Sequence, residues 1–188
     1  NEQDGDGSMR GGGGQRCMGA SEMIGGGKVD HIISKICAEA RKIEPGKNLG
    51  AVINKESQQR IERYITEAEK DGAKILVDGR NTKVAGKENG TYVGPTVIDF
   101  VTPEMSVARE EIFGPVISIM RTNTVDEALA IENANPYGNA ASVFTQNGGM
   151  ARYIIDRASA GMIGVHVGVP VPREPFSFGG WTESKFGL

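Results

Sequence analysis

The sequence predicts an α/β protein, built as a parallel twisted sheet with helices on both faces. Its second half alternates β-rich runs with helical segments, at residues 115–121, 124–133, 140–145, 148–158 and 162–167. This order is typical of parallel strands joined by crossover helices. Thr124 is a suitable N-cap for the helix that follows it. No repeat and no linker divides the chain, so a single domain is expected.

The first half predicts two amphipathic helices, over residues 28–43 and 55–71. Apolar side chains recur at helical spacing in both, and Pro45 and Gly72 follow their ends. The residues after the second helix predict a short strand at 73–77, a polar surface loop at 79–91, and a strand at 92–101 that is interrupted at Gly94–Pro95. Together these segments form a helix-to-strand unit that leads into the alternating half.

Composition limits the classes of function. The 188 residues are 38% hydrophobic and 24% charged, with a net charge of −3, which predicts a globular domain that binds neither nucleic acid nor membrane. The opening residues have no apolar core and do not resemble a secretory signal. Glycines are frequent near the start, so residues 1–13 are predicted to be a flexible segment and residues 14–188 the domain.

Cys17, in the segment GQRCM, is the first candidate for chemistry. A cysteine becomes a nucleophile when positive charge or amide dipoles stabilise its thiolate. Arg16 and the amides of a glycine-rich approach can do this, and a helix beginning near Cys17 would add its dipole. Alternatively, Cys17 is a small buried hydrophobe, as Cys37 is expected to be. A dyad with His31 or His166 is a further alternative, and no metal site is predicted.

Two other segments could line a binding site. In REEIFGP, a carboxylate of the glutamate pair could accept hydrogen bonds from a ribose diol, although a solvated charge pair before a turn is the simpler interpretation. The segment VPVPREPFSF, residues 169–178, has an extended backbone fixed by prolines and could wall a pocket with its aromatic side chains. It could equally cover the core, or bind an aromatic groove as a proline-rich ligand.

Three segments in order resemble the aldehyde dehydrogenase family: GQRCM, EEIFGPV and NPYGNAASVFT. The resemblance covers roughly residues 14–187. Arg-Cys-Met at the nucleophile, Asn139, and the proline-rich segment 169–178 are most similar to the CoA-acylating methylmalonate-semialdehyde dehydrogenase subfamily. His166, Gly168, Arg173 and Glu174 depart from the pattern of that subfamily.

The resemblance implies an NAD-dependent oxidation of malonate or methylmalonate semialdehyde that gives acetyl-CoA or propionyl-CoA and carbon dioxide. Cys17 would be the catalytic nucleophile and would carry a thioester. Glu111 and Phe113 would bind NAD, Arg16 would pair with the substrate carboxylate, and Phe178 would wall the substrate pocket. Coenzyme A would be the co-substrate that accepts the acyl group.

The resemblance also implies partners. It begins just before the nucleophile, so the dinucleotide-binding domain of such an enzyme would lie outside these residues, and the sheet would be open and incomplete without it. A homo-oligomer is expected for the full-length form, in mitochondria if eukaryotic, in the cytoplasm if bacterial, and not secreted. The alternative is a truncated or degenerate homologue that acts as a non-redox folded module and is inactive in isolation.

Overall fold

A computed structural model describes residues 11–15, 19–168 and 170–184. The described residues form two compact units, one that ends at Arg121 and one that begins at Thr122. Whether residues 14–188 form one functional domain stays a prediction.

Both units contain α-helices and short strands. The helices are α1 (Asp30–Ala40), α2 (Lys55–Lys70), α3 (Ser106–Arg109), α4 (Val125–Ala134) and α5 (Gly148–Ile155). The strands are β1 (Glu22–Gly26), β2 (Lys74–Val77), β3 (Thr96–Asp99), β4 (Val116–Thr122), β5 (Tyr137–Gly138), β6 (Ala140–Val143), β7 (Met162–Val165) and β8 (Trp181–Thr182).

The largest sheet has four strands in the order β1-β4-β3-β2. Its central pair, β3 and β4, is parallel, with Thr96 opposite Val116, whereas β2 joins β3 antiparallel. In the second unit β6 pairs with β7 in parallel, and β5 pairs with β8 antiparallel. The predicted α/β class, with parallel strands and helices, is therefore confirmed.

The core of the first unit lies between α1 and one face of the four-stranded sheet. Buried side chains of α1 form one cluster with Val97, Ile117 and Ile119, and Met23 of β1 packs against it. Because alternate residues of a strand point to opposite faces, Ser118 and the residues at 116 and 120 face away from α1. Helix α1 therefore covers one face of the sheet, and the side chains of residues 116, 118 and 120 lie on the other face.

Two helices begin at side-chain caps that the sequence contains. Asn54 accepts a hydrogen bond from the Ser57 backbone N–H at 2.8 Å, which starts α2. Thr124 accepts one from the Glu127 N–H at 3.1 Å while the Glu127 carboxylate reaches back, so α4 starts with a capping box. The prediction of Thr124 as an N-cap is confirmed.

The structure corrects the strand predicted over residues 92–101, which is limited to Thr96–Asp99. The Gly94 N–H donates to the Gly79 carbonyl at 2.8 Å, so the backbone before Pro95 leaves the sheet to contact another loop. A Cβ at Gly79 would lie 1.9 Å from the Gly94 oxygen, so this approach requires glycine.

A helix near Cys17, which would add its dipole, does not occur in the residues described directly after it. Residues 19–21 are irregular, and the strand β1 follows at Glu22. Five-residue EMIGG has little helical propensity because it ends in two glycines. Neither β1 nor α3 was predicted from the sequence.

Candidate functional site

The segment before Cys17 is in close contact with the segment after Phe113. A Cβ placed on Gly14 would lie 1.9 Å from the Gly114 carbonyl oxygen and 2.9 Å from the Pro115 nitrogen. Gly14 also has a φ of 72°, which disfavours other residues. Two of the three family-like segments, GQRCM and EEIFGPV, therefore meet backbone to backbone at Gly14 and Gly114.

The segment after the cysteine contacts β4, the strand that follows Gly114 and Pro115. The Ser118 N–H of β4 donates to the Ser21 carbonyl at 2.9 Å. On the other side, the Gln15 side chain accepts from the Ile53 N–H at 3.0 Å. Both flanks of residues 16–18 are thus anchored within the first unit. The predicted nucleophile Cys17 and the predicted carboxylate partner Arg16 lie outside the described residues.

Glu111 and Phe113 lie in the segment between α3 and β4. Glu111 is exposed, and Phe113 is half-buried with a φ of 52°, an uncommon value for an aromatic residue. Arg60 of α2 donates to the Ile112 carbonyl at 2.7 Å and to the Glu111 carbonyl at 3.4 Å. The backbone that carries both predicted cofactor-binding residues is therefore fixed by a neighbouring helix.

The two adjacent glutamates have different surroundings. Glu110 accepts a hydrogen bond from the buried Tyr64 hydroxyl, and this bond, with burial, raises the pKa of Tyr64. Glu110 and Glu111 are both exposed to solvent. They are therefore a solvated pair, as the simpler interpretation predicts, and Glu110 is in addition held by Tyr64. An exposed carboxylate on a fixed backbone beside a half-buried aromatic ring fits a ribose and its attached flat ring.

The other cysteine and the histidines occupy structural positions. Cys37 is buried on α1, and burial is the main reason that the pKa of its thiol is raised, as expected for an unreactive cysteine. His31 is exposed. The His166 Nε2 lies 2.8 Å from the Thr145 carbonyl, which fastens the end of β7. A dyad of either histidine with Cys17 stays untested because Cys17 lies outside the described residues.

Phe178 belongs to the second unit, in the long connection between β7 and β8. Its side chain is 41% exposed. The connection is attached near both ends: Ser142 donates to the Val167 carbonyl at 2.6 Å, and a Cβ on Gly161 would lie 2.6 Å from the Gly179 oxygen. An exposed aromatic on an attached loop is suited to lining a site, and the substrate role of Phe178 stays a prediction.

Glu22 is a titratable residue that the sequence analysis missed. It starts β1, five positions after Cys17. Burial raises the pKa of its carboxyl to about 7. Met23 packs toward α1, so the alternation of the strand turns Glu22 to the opposite face of the sheet. A carboxylate within a glycine-rich strand is the only signal that could have drawn attention to it.

Within residues 11–15, 19–168 and 170–184, no group of three or more potential metal-ligating side chains occurs. Across the same ranges, no helix is both long enough and apolar enough to cross a membrane.

Comparison with known proteins confirms the family that the three segments resemble. The sequence profile of the aldehyde dehydrogenase family matches residues 7–188. Malonate-semialdehyde dehydrogenase 2 of Geobacillus kaustophilus is 40% identical over 181 residues, which are 93% of this chain and 37% of that protein. The mitochondrial, acylating methylmalonate-semialdehyde/malonate-semialdehyde dehydrogenase of Bos taurus is 43% identical over 187 residues, 96% of this chain and 35% of that protein.

Solved structures have the same fold over the length of the chain. Methylmalonate-semialdehyde dehydrogenase from Oceanimonas doudoroffii superposes with a TM-score of 0.95 at 40% identity, over 100% of this chain and 40% of that one. An NAD+ complex of a Mycobacterium tuberculosis aldehyde dehydrogenase gives 0.86 at 28% identity, over 98% of this chain and 38% of that one. The chain thus spans little more than a third of the length of its relatives.

Proposed function

The chain belongs to the aldehyde dehydrogenase family, and from that premise we propose that it is the cysteine-bearing catalytic part of an NAD-dependent, CoA-acylating dehydrogenase. The proposed substrates are malonate and methylmalonate semialdehyde, and the products are acetyl-CoA or propionyl-CoA with carbon dioxide. Support for this substrate class comes from the names of the relatives that are 40% and 43% identical. By the same likeness, a eukaryotic source would imply a mitochondrial protein.

The observation that carries the proposal is the contact between Gly14 and Gly114, where an added Cβ would lie 1.9 Å from a backbone oxygen. A covalent oxidation requires the nucleophile and the cofactor-binding residues to act on one carbon atom. Cys17 follows Gly14 by three positions, and Phe113 directly precedes Gly114. The contact supports a shared site for Cys17, Glu111 and Phe113.

The proposed chemistry begins at the sulfur of Cys17. The thiolate attacks the aldehyde carbon, a carbon–sulfur bond forms, and the carbonyl oxygen becomes an oxyanion that backbone N–H groups can stabilise. NAD, when bound, supplies the hydride acceptor. Collapse of the oxyanion leaves an acyl thioester on Cys17. The C–C bond to the substrate carboxylate breaks to release carbon dioxide, and the carbon left behind takes up a proton. The CoA thiolate then attacks the thioester carbon, and Cys17 leaves as a thiolate.

Other residues are proposed to hold the reactants. Glu111 would accept hydrogen bonds from the nicotinamide ribose, and Phe113 would pack beside it. The guanidinium of Arg16 matches the geometry of the substrate carboxylate. Phe178 would limit the size of the substrate pocket. Glu111 and Phe178 are both exposed in the structure, so each is accessible to a ligand.

The direct test uses the protein expressed from its complete reading frame. NADH formation would be followed at its absorbance band with malonate semialdehyde, NAD and CoA, and again without CoA. The expected result is steady turnover that requires CoA, and acetyl-CoA as the product by mass spectrometry. Absence of NADH with every component present would contradict the proposal and favour the non-redox module.

A second measurement isolates the role of Cys17. Cys17→Ser is expected to abolish turnover, whereas Cys37→Ser, at a buried thiol with a raised pKa, is expected to retain it. Iodoacetamide should label Cys17 faster than Cys37, since only an accessible thiolate reacts readily. Equal labelling rates would remove the assignment of Cys17 as the nucleophile, whatever the outcome with NAD.

A further inference from the structure

One side of α2 contacts the segment that carries Glu111 at three successive points. Arg60 donates to the carbonyls of Glu111 and Ile112. Tyr64, one turn later, donates to the Glu110 carboxylate. Ile61 is fully buried against Gly114, where an added Cβ would lie 2.6 Å from its Cδ1. The helix thus fixes the backbone from 110 to 114.

The hydrogen bond from Tyr64 determines the direction of two side chains. Glu110 has an extended backbone, with φ −123° and ψ 147°. In extended chain, adjacent side chains point to opposite sides. Because the Glu110 carboxylate is bonded to Tyr64 of α2, this alternation directs the exposed Glu111 carboxylate away from the helix.

The backbone that follows is held in an unfavourable conformation. Phe113 has a φ of 52°, a left-handed value that is unfavourable for an aromatic residue. Such a conformation persists only when the surroundings impose it. Arg60 holds the residue before Phe113 through the Ile112 carbonyl, and Ile61 packs against Gly114, the residue after it. These two contacts can therefore impose the left-handed conformation of Phe113.

We propose that Arg60 and Tyr64 are positioning residues for cofactor binding, which hold residues 110–112 so that Glu111 presents its carboxylate to the ribose diol. This inference rests on the proposed function, since it concerns the same cofactor-binding segment. Tyr64 is 6% exposed and acts only through Glu110. Any effect of Tyr64 on NAD affinity therefore passes through the orientation of Glu110 and its neighbour Glu111.

A double-mutant cycle on the protein from the complete reading frame tests the proposal, with NAD affinity measured by calorimetry. Loss of one hydrogen bond is expected to weaken NAD binding roughly three- to tenfold in Tyr64→Phe. Glu111→Gln is expected to weaken it at least as much. The double variant should resemble Glu111→Gln alone, because positioning has no effect once the positioned carboxylate is absent. Arg60→Met should also weaken NAD binding, and part of its effect should remain in the Glu111→Gln background, because Arg60 also holds the backbone next to Phe113.

The matched control is Tyr153→Phe, which removes a tyrosine–carboxylate hydrogen bond of 2.7 Å to Asp126 in the other unit. It should leave NAD affinity unchanged. Additive effects of Tyr64→Phe and Glu111→Gln, or an equal loss in the control, would overturn the positioning role while Glu111 keeps its cofactor role. Unchanged affinity in Glu111→Gln would instead overturn the cofactor assignment of the proposed function, and the positioning role with it.

Discussion

The two parallel strand pairs of this protein have similar backbone pairing but very different packing. Every residue of β3 is buried, and β4 buries all but one of its seven, whereas β6 buries one of its four. Exposed apolar side chains accompany the second pair, among them Val165 and Val167. The two pairs therefore share parallel backbone pairing, while the side chains of the first pair are more completely buried.

The difference indicates where the protein tolerates change. In the first unit, the buried strands support the Gly14–Gly114 contact and the cofactor-binding segment. In the second, the strands support a long loop that carries exposed aromatics, including Phe176 and Phe178. Substitutions in the first unit should change stability, whereas those in the second should change interactions at the surface.

The largest effect is expected from Gly14→Ala. The new Cβ would lie 1.9 Å from a backbone oxygen, and a φ of 72° adds strain, so the free energy of unfolding should fall by at least about 4 kcal/mol. Gly27→Ala is the matched control, with φ 74° and no atom within 4 Å of the new Cβ. It should cost only about 1–2 kcal/mol. Urea denaturation measures both, and equal losses would show that the close contact does not matter.

A smaller effect separates the two strand pairs. Ile119→Ala in β4 removes a side chain of 0% exposure from the core cluster and should cost about 2–5 kcal/mol. Val165→Ala in β7, at 36% exposure, should cost less than about 1 kcal/mol. The midpoints of thermal and urea unfolding give both values. A similar cost at the two positions would mean that the exposed pair is as tightly packed as the buried one.

How far the sequence predicts this fold depends on how local the signal is. The helix predicted over 55–71 is Lys55–Lys70, and that over 124–133 is Val125–Ala134, because periodicity and N-caps lie within the helices themselves. The strand β1 was missed, since it contains two glycines and exists by pairing with β4, which is distant in sequence. Local patterns cannot report such pairing.

The candidate site was likewise predicted only where its signal is local in the sequence. Glu111 and Phe113 were identified through family-like segments, and their roles stay predictions. Arg60 and Tyr64 gave no signal, because on the sequence they are ordinary residues of an amphipathic helix. Their contacts with residues 110–112 span 46 to 52 positions and appear only in the folded chain.

A pH-dependent effect is expected at β1. Burial raises the pKa of Glu22 from 4.5 to about 7, so the folded state holds a proton that the unfolded state releases. Stability from this proton is complete below about pH 4.5 and is lost as the pH rises to about 7. Glu22→Gln should therefore raise the free energy of unfolding at pH 8 by on the order of 1–3 kcal/mol, and leave it unchanged at pH 4.

Denaturation at both pH values checks this, with Glu132→Gln in the second unit for comparison. Burial also raises the pKa of Glu132, but the Ser159 N–H, which donates to it at 3.0 Å, opposes the shift. The gain at high pH should be smaller there. A Glu22→Gln variant whose stability relative to the parent does not depend on pH would show that Glu22 titrates near its ordinary pKa.

The smallest effect on stability is expected from Phe176→Ser. Its side chain is 75% exposed, so the free energy of unfolding should change by less than about 0.5 kcal/mol. Exposed apolar side chains nevertheless favour association between molecules. Sedimentation over a range of concentrations should show that the parent chain self-associates and that the variant does so less.

The control is an exposed aromatic in the first unit. Phe100 is 50% exposed, but its ring lies 4.6 Å from the Arg121 guanidinium carbon and 5.9 Å from the Lys74 ammonium. Phe100→Ser should lose these cation–π contacts, about 0.5–1 kcal/mol, and leave association unchanged. If both variants reduced association equally, exposure alone would govern contact between molecules, and the distinction between the units would not extend to their surfaces. If only Phe176→Ser reduced self-association, the second unit would differ from the first in its surface contacts between molecules as well as in the burial of its strands.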